Sequence, residues 1–126
     1  MQIHVSPDDG LPVYKQIFNQ VKYLVASGVL RPDEELPPIR VLAEQLLINP
    51  NTVARAYQEL ERMGLIENLL GKGAFIRGEI TVNDTVLFGA RKQLAAALIE
   101  MTLAGMDRGA IHAEVDAALS KFGREA

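Results

Sequence analysis

Five residues, Ile48-Asn49-Pro50-Asn51-Thr52, constrain the fold of this chain more than any others. A proline inside a helix removes a backbone donor and clashes with the preceding turn, so Pro50 fits only at a first helical position. Asn49 directly before it is a good N-cap, because its side-chain oxygen accepts from a free N–H of the first turn. A helix therefore starts here, and whatever precedes it must stop. What precedes it is itself helical: Ile39, Leu42, Ala43 and Leu46 follow Pro38 at three- and four-residue spacing. The spacing predicts a short helix, a tight turn and a second helix that runs to about Met63 and stops at Gly64.

The flanks complete a recognisable order. Pro12 suits a first helical position, and Tyr14, Ile17, Phe18, Val21, Leu24 and Val25 then mark one apolar face, with Gly28 as a helix-ending glycine. Residues 29–38 read as a loop, with Pro32, Pro37, Pro38 and the acidic run Asp33, Glu34, Glu35. After Gly64 come two short strand-like runs, 65–68 and 74–77. Between them lies Leu69-Leu70-Gly71-Lys72-Gly73, whose two glycines suit a hairpin turn. Helix, short helix, turn, helix and glycine-tipped hairpin is the order of a winged helix-turn-helix.

The pattern changes after Gly78. Residues 81–84 read as a linker or cap. Leu87, Ala90, Leu94, Ala97, Leu98, Met101 and Ala104 then continue at helical spacing to Gly105, with a second apolar flank of Phe88, Ala95, Ile99 and Met106. A final helix starts near Asp107, carries Ile111, Val115, Ala118, Leu119 and Phe122 on one face, and ends at Gly123. The predicted fold class is thus mainly α with a small β-hairpin. Residues 1–78 form the winged helix-turn-helix, and residues 79–126 a short two-helix dimerisation or effector segment. A helix that is apolar on two sides needs cover on both. Packing on its own subunit supplies one cover; pairing with the same helix of a second copy through Leu87, Leu94, Leu98 and Met101 supplies the other. The segment has no room for a metabolite pocket within one subunit, so an effector, if there is one, is expected between subunits or domains.

On a wheel at about 100° per residue, Val53, Ala56, Tyr57 and Leu60 cluster inward while Asn51, Arg55, Gln58 and Arg62 face outward. Glu59 and Glu61 fall on the flanks of that stripe. Asn, Gln and Arg read base edges by paired hydrogen bonds in the major groove. A recognition helix presents its N-terminal residues first, which favours Asn51, Thr52 and Arg55. Free N–H groups at Asn49 suit a phosphate. Arg40 early in the second helix and Lys72 at the hairpin tip are further cations for the DNA backbone or a minor groove.

Charge argues the other way. The 126 residues carry formal charge -3, and residues 1–78 hold 8 Lys/Arg against 9 Asp/Glu. The acids Asp33, Glu34 and Glu35, however, sit in a loop, away from the predicted reading stripe. The chain has no cysteine, which excludes disulfides, thiolate metal sites and cysteine nucleophiles. His4 and His112 have no metal-ligand neighbour at paired helical spacing, and Ser6, Ser27 and Ser120 sit in no nucleophile motif. Gly71-Lys72-Gly73 is too short for a phosphate-binding loop. The expectation is a non-enzyme without cofactor or metal. With no leader-like N-terminus and no stretch of about 20 apolar residues, a cytoplasmic protein with no membrane partner is expected.

Residues 28–76 resemble the N-terminal domain of the GntR family of bacterial transcription regulators. The resemblance is carried by Leu36-Pro37-Pro38-Ile39-Arg40, Leu42-Ala43, the run from Asn49 to Tyr57, Leu60-Glu61, Gly64-Leu65-Ile66 and Gly71-Lys72-Gly73. The Asn-Pro-Asn-Thr-Val form with a short tail is most similar to the YtrA-like subfamily. The resemblance implies a repressor or activator, often of an ABC-transporter operon, that binds a pseudo-palindromic operator as a homodimer. It places DNA contacts at Arg40, Asn51, Thr52, Arg55, Gly71 and Gly73. Leu69 and Leu70 stand where the family commonly has arginine, so the wing keeps only Lys72 and Arg77 as cations, or its leucines pack on the domain or a partner. The alternative function is a winged-helix module that binds protein and has lost DNA.

Overall fold

A computed structural model describes residues 1–79 and 83–122 of the chain. Helix α1 spans Val13–Ala26, α2 Ile39–Leu46 and α3 Pro50–Arg62, followed by strands β1 (Ile66–Leu69) and β2 (Gly73–Ile76). Helices α4 (Asp84–Leu103) and α5 (Arg108–Phe122) complete the order. The architecture is the expected one, mainly helical with one antiparallel hairpin. The chain divides into two compact units, Met1–Thr81 and Val82–Ala126. Thr81 and Val82, half of the expected linker, lie outside the described residues, as does Gly123, the expected stop of the last helix.

The core of the first unit is the meeting of the three apolar faces. Ile17, Val21 and Val25 of α1, Leu42 and Ala43 of α2, and Val53, Ala56, Tyr57 and Leu60 of α3 are all buried. Leu65, Ile66, Ala74 and Ile76 add the inner side of the hairpin. The buried Tyr57 ring still finds a polar partner: its hydroxyl donates to the Pro37 carbonyl at 2.6 Å. Burial pushes that hydroxyl's pKa up, so it stays protonated and a donor.

An N-terminal arm is clipped onto α1 by two glutamines. Gln16 Oε1 accepts from the Ser6 N–H at 2.8 Å while its Nε2 donates to the carbonyls of Ser6 and Leu11 at 2.7 and 2.9 Å. Gln20 repeats the pairing with the N–H and carbonyl of His4 at 3.0 and 2.6 Å. Each side-chain amide thus imitates a strand neighbour, and Ile3 is buried beneath the arm. This fixes the chain just ahead of α1. Pro12 is the N-cap of α1 and not its first residue, a one-position correction.

A second correction concerns residues 29–38. The sequence reads as a loop, yet Glu35 forms a β-bridge with Phe75. The N–H of Asp33 donates to the Ile76 carbonyl at 2.9 Å, that of Ile76 to Glu34 at 2.9 Å, and that of Leu36 to Ala74 at 2.8 Å. The segment covers the free edge of β2, which an isolated hairpin would leave open.

In the second unit, Asn83 caps α4 by accepting from Thr85 and Val86 at 3.0 and 3.2 Å, so the expected cap near residues 81–84 is Asn83. Asp107 accepts from Ala110 at 2.9 Å at the start of α5. No residue of either helix is buried. Among the described residues no helix is long and apolar enough to cross a membrane.

Candidate nucleic-acid interface

The turn between α2 and α3 is tight because of how α2 ends. Leu47 takes the left-handed conformation, with φ 57 and ψ 46, and lies 91% exposed. Left-handed backbone is uncommon for a bulky residue. It lets the Ile48 N–H reach the Ala43 carbonyl at 3.0 Å and turns the chain toward Asn49. Asn49 then caps α3: its Oδ1 accepts from the Asn51 N–H at 2.8 Å, with Pro50 at the first position. Asn49→Ala is expected to destabilise the protein by about 1 kcal/mol, and Asn49→Ser to restore most of the loss, in urea unfolding.

The turn lines a shallow groove of about 510 Å³ formed by Arg40, Ala43, Glu44, Leu47, Ile48, Asn49 and Pro50. Arg40 and Asn49 therefore share one surface, with Asn51 exposed and Thr52 half-buried in the first turn of α3 beside it. Asn51, Arg55, Gln58 and Arg62 are exposed along α3, opposite its buried residues, as the wheel predicts. One cation on that stripe is engaged: Arg62 pairs with Glu59 at 3.0 Å, so the flanking acid does reach the outward face. Arg55 is placed differently, with its guanidinium carbon 3.8 Å from the centroid of the Tyr14 ring on α1. Tyr14 belongs to the apolar face that the periodicity of α1 predicts, and it is half-buried against the core. A second cluster on α1 sets Lys15 and Lys22 over Phe18 at 4.9 and 4.4 Å. Burial, and then the Lys15 charge, lower the pKa of Lys22.

The wing pairs Ile66 with Ile76 and Leu69 with Gly73. Its turn closes through the Lys72 N–H to the Leu69 carbonyl at 2.9 Å. Gly71 and Gly73 have φ of 78 and 110, the left-handed region that glycine tolerates. Gly73 has a second reason to be glycine. A Cβ there would lie 3.1 Å from Oε1 of Glu35. The loop acids Asp33, Glu34 and Glu35, expected off the α3 reading stripe, run beside β2, with Glu35 against the wing backbone. They reduce the positive field that Lys72 and Arg77 supply. Leu70 is fully exposed, at 103%, so it does not pack on its own domain, and Leu69 is exposed as well.

In the second unit, contrary to the expectation of no room for a pocket within one subunit, α4 and α5 flank an open apolar cleft of about 690 Å³ lined by Leu94, Leu98, Thr102, Met106, Ile111 and Val115 among others. Leu87 is exposed and Met101 half-buried on α4. Among the described residues no group of three His, Asp or Glu side chains is gathered as for a metal ion.

Comparison with known proteins agrees with this geometry. Residues 13–76 match the family model described as "Bacterial regulatory proteins, gntR family". The HTH-type transcriptional repressor YtrA of Bacillus subtilis (strain 168) is 37% identical over 87% of this chain and 86% of its own length. The structure of a transcriptional antiterminator from Listeria monocytogenes EGD-e superposes with a TM-score of 0.84 at 31% identity, covering 100% of this chain and 96% of the other. AraR(DBD), solved in complex with operator ORE1, superposes with a TM-score of 0.51 at 25% identity over 60% of this chain and 93% of the other.

Proposed function

The chain belongs to the GntR family of bacterial regulatory proteins, and from that premise we propose that it represses transcription by binding a pseudo-palindromic operator as a homodimer. It is a DNA-binding regulator of the YtrA-like kind. The observation that carries the finer reading is the exposed stripe Asn51, Arg55, Gln58 on α3, set beside Arg40 and the capped turn at Asn49. These are side chains that can pair with base edges and phosphates. Thr52 adds a hydroxyl in the first turn. Gly71, Lys72 and Gly73 at the hairpin tip are the proposed contacts to an adjacent minor groove or its phosphates.

Pairing of two copies is supported by α4 and α5 themselves. A two-helix unit with no buried residue has no core of its own. A second copy that seats its helices on the apolar cleft would bury Leu94 and Leu98, which line it, and we extend the proposed seam along α4 to Leu87 and Met101. Two-fold pairing also sets two recognition helices about one DNA turn apart, which is what a pseudo-palindrome requires. An ABC-transporter operon is the target class that the subfamily resemblance implies, and an effector would sit where the copies meet. Residues 1–78 are proposed as the DNA-binding part and 79–126 as the dimerisation part, in the cytoplasm.

Selection of duplexes from a randomised pool tests this. Enrichment of an inverted repeat with half-sites about 10 base pairs apart is the expected outcome. A pool that stays random after repeated rounds would sink the operator reading.

A further inference from the structure

Arg55 is the one cation of the α3 stripe that lies on an aromatic ring. The 3.8 Å separation from the Tyr14 centroid is stacking distance for a planar guanidinium over a π-face. Such a contact uses the face of the guanidinium and leaves its edge free. Among the described residues no acceptor takes any of the Arg55 guanidinium N–H donors, and Glu59, one turn further along α3, is held by Arg62 at 3.0 Å. The platform under Arg55 is itself fixed. Tyr14 is the second residue of α1, and the chain before it is tied down through Gln16 to the carbonyls of Ser6 and Leu11. The Tyr14 ring is half-buried, so one side packs on the core while the other meets Arg55.

We propose that Tyr14 is a positioning residue for DNA reading: its ring holds the Arg55 guanidinium in one plane, with its donor edge presented to a base or phosphate before DNA arrives. A free arginine has many rotamers, and ordering them on binding weakens the complex; a stacked one is already ordered. This inference rests on the proposed role of Arg55 as a DNA contact.

A double-mutant cycle on the full-length protein tests it. The probe is the duplex enriched from the randomised pool, titrated by fluorescence anisotropy at one salt concentration. Arg55→Ala is expected to weaken binding roughly tenfold or more, the scale of a lost bidentate contact. Tyr14→Leu is expected to weaken it roughly three- to tenfold, and Tyr14→Phe, which keeps the ring, less than about twofold. In the Arg55→Ala background Tyr14→Leu is expected to add nothing. Tyr14→Met, unbranched and without a ring, replaces Tyr14→Leu should the latter not fold, with the same expectation. An equal loss from Tyr14→Leu or Tyr14→Met with and without Arg55 would overturn the proposal, as would unchanged binding by either variant while Arg55→Ala binds weakly. Unchanged binding by Arg55→Ala would instead remove Arg55 from the DNA contacts, and the proposal with it.

Discussion

Replacing both Leu94 and Leu98 by glutamate is expected to separate the protein into monomers and to lower operator affinity by roughly 10²- to 10⁴-fold. The two leucines lie one helical turn apart on α4 and line the apolar cleft with Met106, Ile111 and Val115. In a dimer built on that cleft, four carboxylates would enter an apolar seam, and burying unpaired charge is strongly unfavourable. The affinity falls because each half-site contact alone is weak. Residues 1–78 carry more acids than bases, and the acids beside β2 oppose the wing cations. In the proposed dimer, useful binding depends on joining two copies. Sedimentation equilibrium reads the first effect and anisotropy on the selected duplex the second. A double variant that remains dimeric would show that pairing lies elsewhere. The first unit has its own buried core, so its helical signal should survive the change.

The second large effect is on stability. Leu60→Ala is expected to destabilise the winged unit by about 2–5 kcal/mol, because the side chain is completely buried. The loss has two parts: transfer of the removed carbons, and the cavity left in the core. Leu70→Ala, at the fully exposed wing tip, is expected to change stability by less than about 0.5 kcal/mol. Urea unfolding of the two variants compares one residue type in opposite surroundings. A Leu60→Ala protein as stable as the parent would contradict the core described above. An exposed Leu70 that leaves stability unchanged but alters operator binding would assign the wing tip to DNA.

Parts of this fold were legible because the chemistry that sets them is local. Asn49, Pro50 and Asn51 settle the start of α3 within one turn, and the cap forms as expected. Gly71 and Gly73 mark the hairpin because the turn needs left-handed backbone. The α3 wheel separated buried from exposed residues because one apolar face packs on α1 and α2. What escaped is non-local. The bridge from Glu35 to Phe75 is a backbone pairing across distant segments and leaves no period in the sequence. It sets Asp33, Glu34 and Glu35 at the edge of the wing. Gln16 pairs with Ser6 and Leu11 through an amide that any surface glutamine also carries. Leu47 ends α2 in the left-handed region without the glycine or asparagine that would have signalled it. Tyr14 fitted the apolar stripe of α1, and only the packing of α1 on α3 reveals Arg55 over its ring. Glu59 falls on the flank of the stripe, and its i,i+3 spacing to Arg62 lets the two pair across that edge.

The most direct test of the central claim is affinity for the selected duplex and for a scrambled duplex of equal length, measured by anisotropy across a salt series. Neutralised phosphates release counterions, so binding to both should fall linearly on a log–log plot, with a slope of about -0.9 for each phosphate contacted. The account predicts that fall together with a preference for the selected duplex of roughly 10³-fold or more. Equal affinity for the two duplexes, or no binding to either at low salt, would contradict it.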